Sequence, residues 1–370
     1  MTTGLIPGEP VPWFHANALS GNPRFAFDTV AGRWVVLLLM GSGARPEAQA
    51  ALDLLAQNRA LFDDQSACFF GVTVDQQDAP TGRIAQQLPG IRWFLDYDHA
   101  VSTKLRAAEV KGDRVSYAPQ WLLLDPMLRV RRILPITQGG ELFAELRGLL
   151  AHPMPHPPSA PVLIVPNVLS PEICRHLIGL YQQQGGKESG FMQEVNGITV
   201  EKMDPDHKRR SDLILDDQKL IDSLKARFHR NLRPMIQRAF QFEATRIERF
   251  LVSCYDAEVR GHFRAHRDNT TKGTAHRRFA CTINLNADEF EGGDLSFPEF
   301  GPRTYRAPTG GAVIFSCSLL HEARPVTAGR RYAFLPFFYD DEGARIRERN
   351  LEFVTGNLKN YASGLPAEAS

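Results

Sequence analysis

The chain has 370 residues, of which 43 are Lys or Arg, 42 are Asp or Glu and 43% are hydrophobic. That length suits two domains, and the apolar content is ordinary for a globular protein. The near cancellation of charge argues against a nucleic-acid binder that works by bulk electrostatics. The opening Met1-Thr2-Thr3-Gly4 lacks a basic stretch leading into an apolar one, so no secretory signal is expected. The apolar run 34–40 is too short to span a bilayer. Cys68, Cys174, Cys254, Cys281 and Cys317 include no C-x-x-C pair, which argues against a disulfide framework and fits a reducing cytoplasm.

Residues 1–150 read as strands alternating with helices. Trp34-Val35-Val36-Leu37-Leu38-Leu39-Met40 is a continuous apolar run, as expected for a strand covered on both faces. A Gly-Ser-Gly turn then leads to a helix near Pro46, a residue favoured in a first helical turn. Cys68 to Asp75 and Trp121 to Asp125 read as further buried strands. This order resembles a thioredoxin-like peroxiredoxin domain over about residues 4–150. The resemblance implies a cis peptide at Pro119, before the last of these strands. It also implies a reactive cysteine in the loop after the first central strand. Here that loop is Gly41-Ser42-Gly43-Ala44-Arg45-Pro46-Glu47, with no thiol. Without a thiolate there is no peroxidatic nucleophile, and Cys68, inside an apolar strand, reads as an inert core residue. The domain is therefore expected to be redox-inactive and to serve docking, homo-oligomerisation or solubility. The Gly-Ser-Gly loop at a helix start offers a weak anion site.

Residues 151–161 carry proline at 153, 155, 157, 158 and 161 and read as an extended linker. A second domain is expected over 162–345, with a tail over 346–370. It opens with a strand at Val162–Val165. Ser170-Pro171-Glu172 then starts a helix with an N-cap, a first-turn proline and a favourable acid. A longer helix is expected from about Asp217 to Gln241, kinked at Pro234. From about Ile247 the texture changes to short strands punctuated by glycine and proline, the pattern of a sandwich or barrel. Along Phe279-Ala280-Cys281-Thr282-Ile283-Asn284-Leu285 one face is apolar. Ala280, Thr282 and Asn284 make a small, polar face that suits a pocket wall. Arg331 falls on a face with Ala333, Leu335 and Phe337. A guanidinium there is costly unless an anion answers it, either a carboxylate ligand or a structural Asp or Glu.

The chemistry-bearing motif is His266-Arg267-Asp268 with the distant His321. Residues two apart on a strand point to one side, and two imidazoles with one carboxylate hold one face of an Fe(II) ion while leaving the other open. A zinc-protease helix using His262 and His266 would need a Glu after the first His, where Phe263 stands. His276 reads as a surface residue.

The run after His321, Glu322-Ala323-Arg324-Pro325-Val326-Thr327-Ala328-Gly329-Arg330-Arg331-Tyr332, completes a pattern that resembles the Fe(II)- and 2-oxoglutarate-dependent dioxygenases of the prolyl 4-hydroxylase type over about residues 160–341. The resemblance implies an α+β domain with a double-stranded β-helix (jelly roll, cupin-like) core behind the α/β thioredoxin-like domain. It implies His266, Asp268 and His321 as metal ligands, with no catalytic residue beyond them. Arg331 would take the far carboxylate of 2-oxoglutarate, Tyr255 would hydrogen-bond the co-substrate, and Thr282 and Asn284 would line the pocket. It also implies O2 as co-substrate, ascorbate as a rescuing reductant, and hydroxylation of an unactivated C–H bond with release of succinate and CO2. A ligating Asp268 favours hydroxylation over halogenation. The implied substrate is a prolyl residue of a protein, with a small molecule next. Arg210-Ser211-Asp212 is similar to an Arg-x-Asp on the mobile substrate loop of oxygen-sensing prolyl hydroxylases; the alternative is a solvated charge run. A different class of function, an adaptor or oxygen/iron sensor that uses the redoxin-like domain to bind a partner, stays open. Neither a nucleic acid nor a membrane is expected as partner.

Overall fold

The computed structural model describes residues 4–112, 114–152 and 158–355. Met1–Thr3, the stretch 153–157 of the expected linker and the stretch 356–370 of the expected tail lie outside the described residues. The chain divides into two compact units, 1–159 with 298–301, and 160–297 with 302–370.

In the first unit the apolar run forms β1 (Trp34–Gly41), whose residues from Val35 to Met40 are fully buried. α1 (Pro46–Gln57) follows, then β2 (Ala67–Thr73), β3 (Ile91–Leu95), β4 (Gln120–Leu124), β5 (Val130–Pro135) and α2 (Gly139–Ala151). Among the described residues these strands make one sheet in the order β3-β2-β1-β4-β5. β1, β2 and β3 are parallel, and β4 and β5 join antiparallel. Apolar residues of β1 and β2 meet Leu55 of α1 and Leu142, Phe143 and Leu146 of α2 in the core. This explains the unbroken apolar runs, since a strand covered on both faces cannot alternate.

The loop after β1 is closed by the chain's own groups. Gly43 N–H donates to Asp78 Oδ2 at 2.8 Å, and Ser42 Oγ donates to Asp75 Oδ2 at 2.6 Å. Asp78 is fully buried and also takes Arg83 Nη1 at 3.0 Å. The weak anion site expected there is thus filled internally. Cys68 is buried, and burial pushes its thiol up to about 12, as an inert core residue requires. The expected cis bond at Pro119 is a correction. The cis peptide of the described residues is Leu88–Pro89, whereas the backbone around Pro119 is fixed by Ala118 N–H on Ala107 O and by Ile136 N–H on Pro119 O.

The second unit starts with β6 (Leu163–Val165) and α3 (Pro171–Gln184), which has Pro171 in its first turn. β7 (Ser211–Ile214) precedes α4 (Gln218–Asn231) and α5 (Arg233–Phe240). Asp217 caps α4 by accepting from the N–H groups of Lys219 and Leu220. The single kinked helix expected here is two helices parted at Leu232. Pro234 has no N–H and its ring clashes with the preceding turn, so it sits in the first turn of a new helix.

The strands that follow are β8 (Leu251–Asp256), β9 (His262–His266), β10 (Phe279–Asn284), β11 (Leu295–Ser296), β12 (Ala312–Ser316), β13 (His321–Ala323), β14 (Val326–Phe334) and β15 (Phe337–Tyr339). Among the described residues they form two sheets. The larger runs β6-β12-β10-β14-β8-β7, and the smaller runs from Lys208–Arg209 through β9, β13 and β11 to Thr304–Tyr305. One face of the large sheet, with Val252, Cys281, Ile283 and Phe334, packs on Leu177, Leu224, Phe228 and Ile236 of the helices. The other face turns to the small sheet. α6 (Asp341–Arg349) runs across position 345, where the domain was expected to end, and is capped by Asp340 on Gly343 N–H.

Gly310 adopts φ +75° in the turn before β12, and a Cβ there would collide with the carbonyl oxygen of Leu169. Gly310→Ala is therefore expected to lower stability by about 2–3 kcal/mol, read as a shifted denaturant midpoint with an unchanged slope.

Candidate metal centre

β9 and β13 pair antiparallel with His266 directly opposite His321. Asp268 lies two residues beyond the end of β9. Its N–H donates to Cys317 O at 3.0 Å, which holds the segment against the turn between β12 and β13. Ligand atoms of His266, Asp268 and His321 all lie within 4.8 Å of one another. His266 Nε2 is 3.5 Å from one carboxylate oxygen of Asp268, and His321 Nε2 is 3.3 Å from the other.

Proton positions follow from the partners. His266 Nδ1 sits 2.7 Å from Arg264 O, and His321 Nδ1 sits 3.0 Å from Leu319 O. A carbonyl oxygen only accepts, so each Nδ1 carries the proton and each Nε2 turns a lone pair toward Asp268. Burial, and then the neighbouring His321, pushes His266 down to about 4, so it is neutral at pH 7. Burial opposes ionisation of Asp268; where the facing His321 and His266 present an N–H to it they hold its carboxyl well below the usual range, a contribution lost in the tautomers that turn lone pairs toward it. Two lone pairs and a carboxylate converging on one point repel each other unless a cation sits among them. Phe263 stacks on His266 at 3.5 Å between ring centroids, and Phe315 packs edge-on against His321 at 4.5 Å, so the rings cannot turn away freely.

The same cavity is lined by Tyr255 of β8, Thr282 of β10 and Arg331 of β14, together with Arg210. Tyr255 and Arg331 are cross-strand partners, and the guanidinium lies 5.0 Å from the centroid of the tyrosine ring. Arg331 is 2% exposed. Its Nε donates to Asn284 Oδ1 at 3.4 Å, and its Nη1 has no partner. Asp294, the carboxylate that most affects it, is held by Arg306 at 2.5 Å. Among the described residues no carboxylate pairs with Arg331, so the structural ion pair left open from sequence is not formed. Burial pulls its pKa below the usual arginine range. By contrast Arg330 points outward to Asp256 at 2.7 Å.

Two expectations are corrected, and one rejection is borne out. Arg210 and Asp212 are neither on a mobile loop nor in a solvated run. They flank the start of β7, are buried, and pair at 2.6 Å. His276 is 2% exposed and bonds Glu248 through Nε2 at 3.0 Å, because Glu248 also takes Arg277 Nε at 2.6 Å and draws both side chains inward. The zinc-protease alternative falls because residues 262–266 are extended, which sends His262 to the carbonyls of Arg260 and Asp206. Arg249 lines the cavity unannounced, since it belongs to no spacing that carries chemistry, whereas Phe337 stands on the face already given to Arg331.

Comparison with known proteins now bears on this geometry. Residues 250–339 match the 2OG-Fe(II) oxygenase superfamily. That segment holds the His-Asp-His cluster, Tyr255 and Arg331. Among curated proteins, a "PKHD-type hydroxylase" of Synechococcus sp. (strain JA-2-3B'a(2-13)) is 31% identical over 127 residues, covering 32% of this chain and 53% of that protein. Another, from Verminephrobacter eiseniae (strain EF01-2), is 34% identical over 96 residues, covering 24% and 41%. The chain thus spans about half the length, or less, of these relatives. Among solved structures, a Pseudomonas putida prolyl-4-hydroxylase is similar at TM-score 0.37 and 15% identity, covering 49% of this chain and 93% of that one. Mycobacterium tuberculosis AhpC is similar at TM-score 0.33 and 17% identity, covering 40% and 94%. Among the described residues no helix is long and apolar enough to cross a membrane.

Asp212 and Glu248 are buried carboxyls. Burial opposes their ionisation, but Arg210 acting on Asp212 and Arg277 on Glu248 hold both below their ordinary values. A depressed carboxyl contributes stability that is present above its unfolded pKa and lost as pH falls through its folded one. Denaturant unfolding should therefore show the contribution of these two carboxyls intact above about pH 5 and falling steadily below about 4, beneath a decline that begins near pH 6.5 because His266 stays neutral in the fold down to about 4. Glu248→Gln strands the Arg277 charge and should destabilise by about 3–5 kcal/mol, flattening part of that acid limb.

Proposed function

We propose that the protein is an Fe(II)- and 2-oxoglutarate-dependent dioxygenase that hydroxylates an unactivated C–H bond. The substrate of choice is a prolyl residue of a polypeptide, with a free amino acid or other small molecule as the second candidate. One observation carries the reading: two imidazoles and a carboxylate, with ligand atoms within 4.8 Å of one another, share a cavity with a buried arginine that has no carboxylate partner among the described residues. Donor chemistry fits the metal, since two imidazoles and a carboxylate on one face suit a non-haem ferrous ion and leave its other face open. The superfamily match over 250–339 supports the choice of ion and co-substrate.

His266, Asp268 and His321 would hold the metal, each histidine oriented by its backbone carbonyl. When bound, the metal and 2-oxoglutarate would activate O2 as the oxidant, one oxygen atom going to succinate as CO2 leaves and the other to the substrate C–H bond. Arg331 offers its fork to the far carboxylate of the keto acid, which would answer both its charge and its unpartnered Nη1. The Tyr255 hydroxyl and Thr282 stand beside that position, and Asn284 steadies Arg331. Phe263, Phe315, Leu335 and Phe337 keep the walls apolar and exclude water. Asp268, as a third protein ligand, favours hydroxyl over halide transfer. Ascorbate completes the set as the reductant for oxidised iron.

In this reading residues 151–161 link a redox-inactive thioredoxin-like domain, 1–150, to a dioxygenase domain with a double-stranded β-helix core that starts at 162 and extends past the expected end at 345 to include α6. The sheet order of the first unit and its thiol-free loop support the first assignment, and the two facing sheets of the second unit support the other. Homo-oligomerisation through the first domain and a cytoplasmic location belong to the same proposal.

Anaerobic titration of the protein with Fe(II) and 2-oxoglutarate should raise a weak visible charge-transfer band, and His266→Ala should abolish it. Absence of the band in the unaltered protein overturns the reading. Arg331→Gln should weaken 2-oxoglutarate binding by roughly tenfold to a hundredfold, measured by the midpoint of the same titration.

A further inference from the structure

Arg331 is not the only cation whose side chain reaches this cavity. The Arg210 side chain is 4% exposed. Its Nη2 donates to Asp212 Oδ2 at 2.6 Å and its Nη1 to the Tyr255 hydroxyl at 3.4 Å, but its buried Nε has no partner. Asp212 does not serve Arg210 alone. Arg249 Nη2 stands 3.7 Å from the same carboxylate oxygen, and Ser253 Oγ donates to the other at 2.6 Å. Lys208 lies in the same cluster, its ammonium disfavoured by burial and then by Arg210 and Arg249. This wall is therefore electropositive and dry, while Phe263, Phe315, Leu335 and Phe337 around it cannot solvate a charge. A guanidinium edge with an empty donor in such a place suits one ligand chemistry, a carboxylate on an otherwise apolar body.

We propose that Arg210 receives a carboxylate of the substrate itself, distinct from that of 2-oxoglutarate, so that the hydroxylated molecule presents an acidic group within the cavity. The inference rests on the preceding reading only in giving Arg331 to the co-substrate. The acid can come from a free amino acid or from an acidic side chain next to the reacting residue of a peptide, and both offer Arg210 the same group.

The test uses full-length protein loaded with Mn(II) and with N-oxalylglycine, an inert stand-in for 2-oxoglutarate. Paramagnetic relaxation of probe methyl protons then reports binding near the metal. Acetate should be relaxed at concentrations at least about tenfold lower than acetamide, its neutral counterpart. Arg210→Gln should erase that preference and Arg210→Lys should keep part of it, whereas a purely structural Arg210 leaves the acid-to-amide ratio unmoved. The same measurement on the ring protons of L-proline against L-prolinamide, and of blocked Asp-Pro against Asn-Pro dipeptides, separates a free acid from an acidic side chain. Equal relaxation by acetate and acetamide, no relaxation by either, or a preference that survives Arg210→Gln overturns the proposal. If the charge-transfer band never forms but the Arg210-dependent preference holds in Arg331→Gln as well, the dioxygenase reading falls and this site stands. A band without any acid preference is the reverse case.

Discussion

His266 and His321 face each other across an antiparallel strand pair, each with its proton on the far nitrogen and its lone pair turned toward the carboxylate of Asp268. Electrostatics alone would scatter these groups. The fold holds them by other means: backbone carbonyls behind the imidazoles, aromatic rings on their faces, and the Cys317 carbonyl on the Asp268 amide. Packing and backbone bonding thus maintain an arrangement whose repulsion a divalent cation would relieve. Low local dielectric magnifies both the repulsion and the relief.

The large sheet divides its labour by face. Alternation sends Val252, Cys281, Ile283 and Phe334 into the helical core, and turns Ser253, Tyr255, Thr282 and Arg331 toward the small sheet. A single-residue slip in the β8–β14 pairing would exchange these sets, burying Arg331 among leucines and phenylalanines. The register that makes the core therefore also makes the cavity.

Buried charges in this protein fall into two kinds. Glu248 with His276 and Arg277, and Asp78 with Thr73, Arg83 and the Gly43 amide, are sets in which each carboxylate is met by several donors. Such sets order the chain. Arg331 and Arg210 differ, since each keeps a buried donor empty on a cavity wall. Because most buried polar groups are satisfied, the exceptions are informative. The first unit shows the first kind in the loop after β1, where Asp78 accepts from the amide of Gly43.

Much of this was legible from residue order. Unbroken apolar runs marked the buried strands, alternation marked the two faces of β10, and the H-x-D pair with His321 marked the cluster. These signals are local periodicities or side-chain types whose chemistry needs few partners. The sequence also raised the question of Arg331, because a guanidinium in an apolar strand needs an anion. It could not say whether Asp or Glu from elsewhere would answer, since ion pairing depends on which distant strands become neighbours. For the same reason His276 read as a surface group, and only the tertiary structure drew it to Glu248 on a distant strand; Arg210 and Asp212 pair with each other across one residue, but their burial comes from distant neighbours, Tyr255, Ser253 and Arg249. Composition and periodicity determine what a segment buries. Which charges meet once it is buried is decided by long-range pairing, where burial makes each charge pair strong and each unpaired one costly.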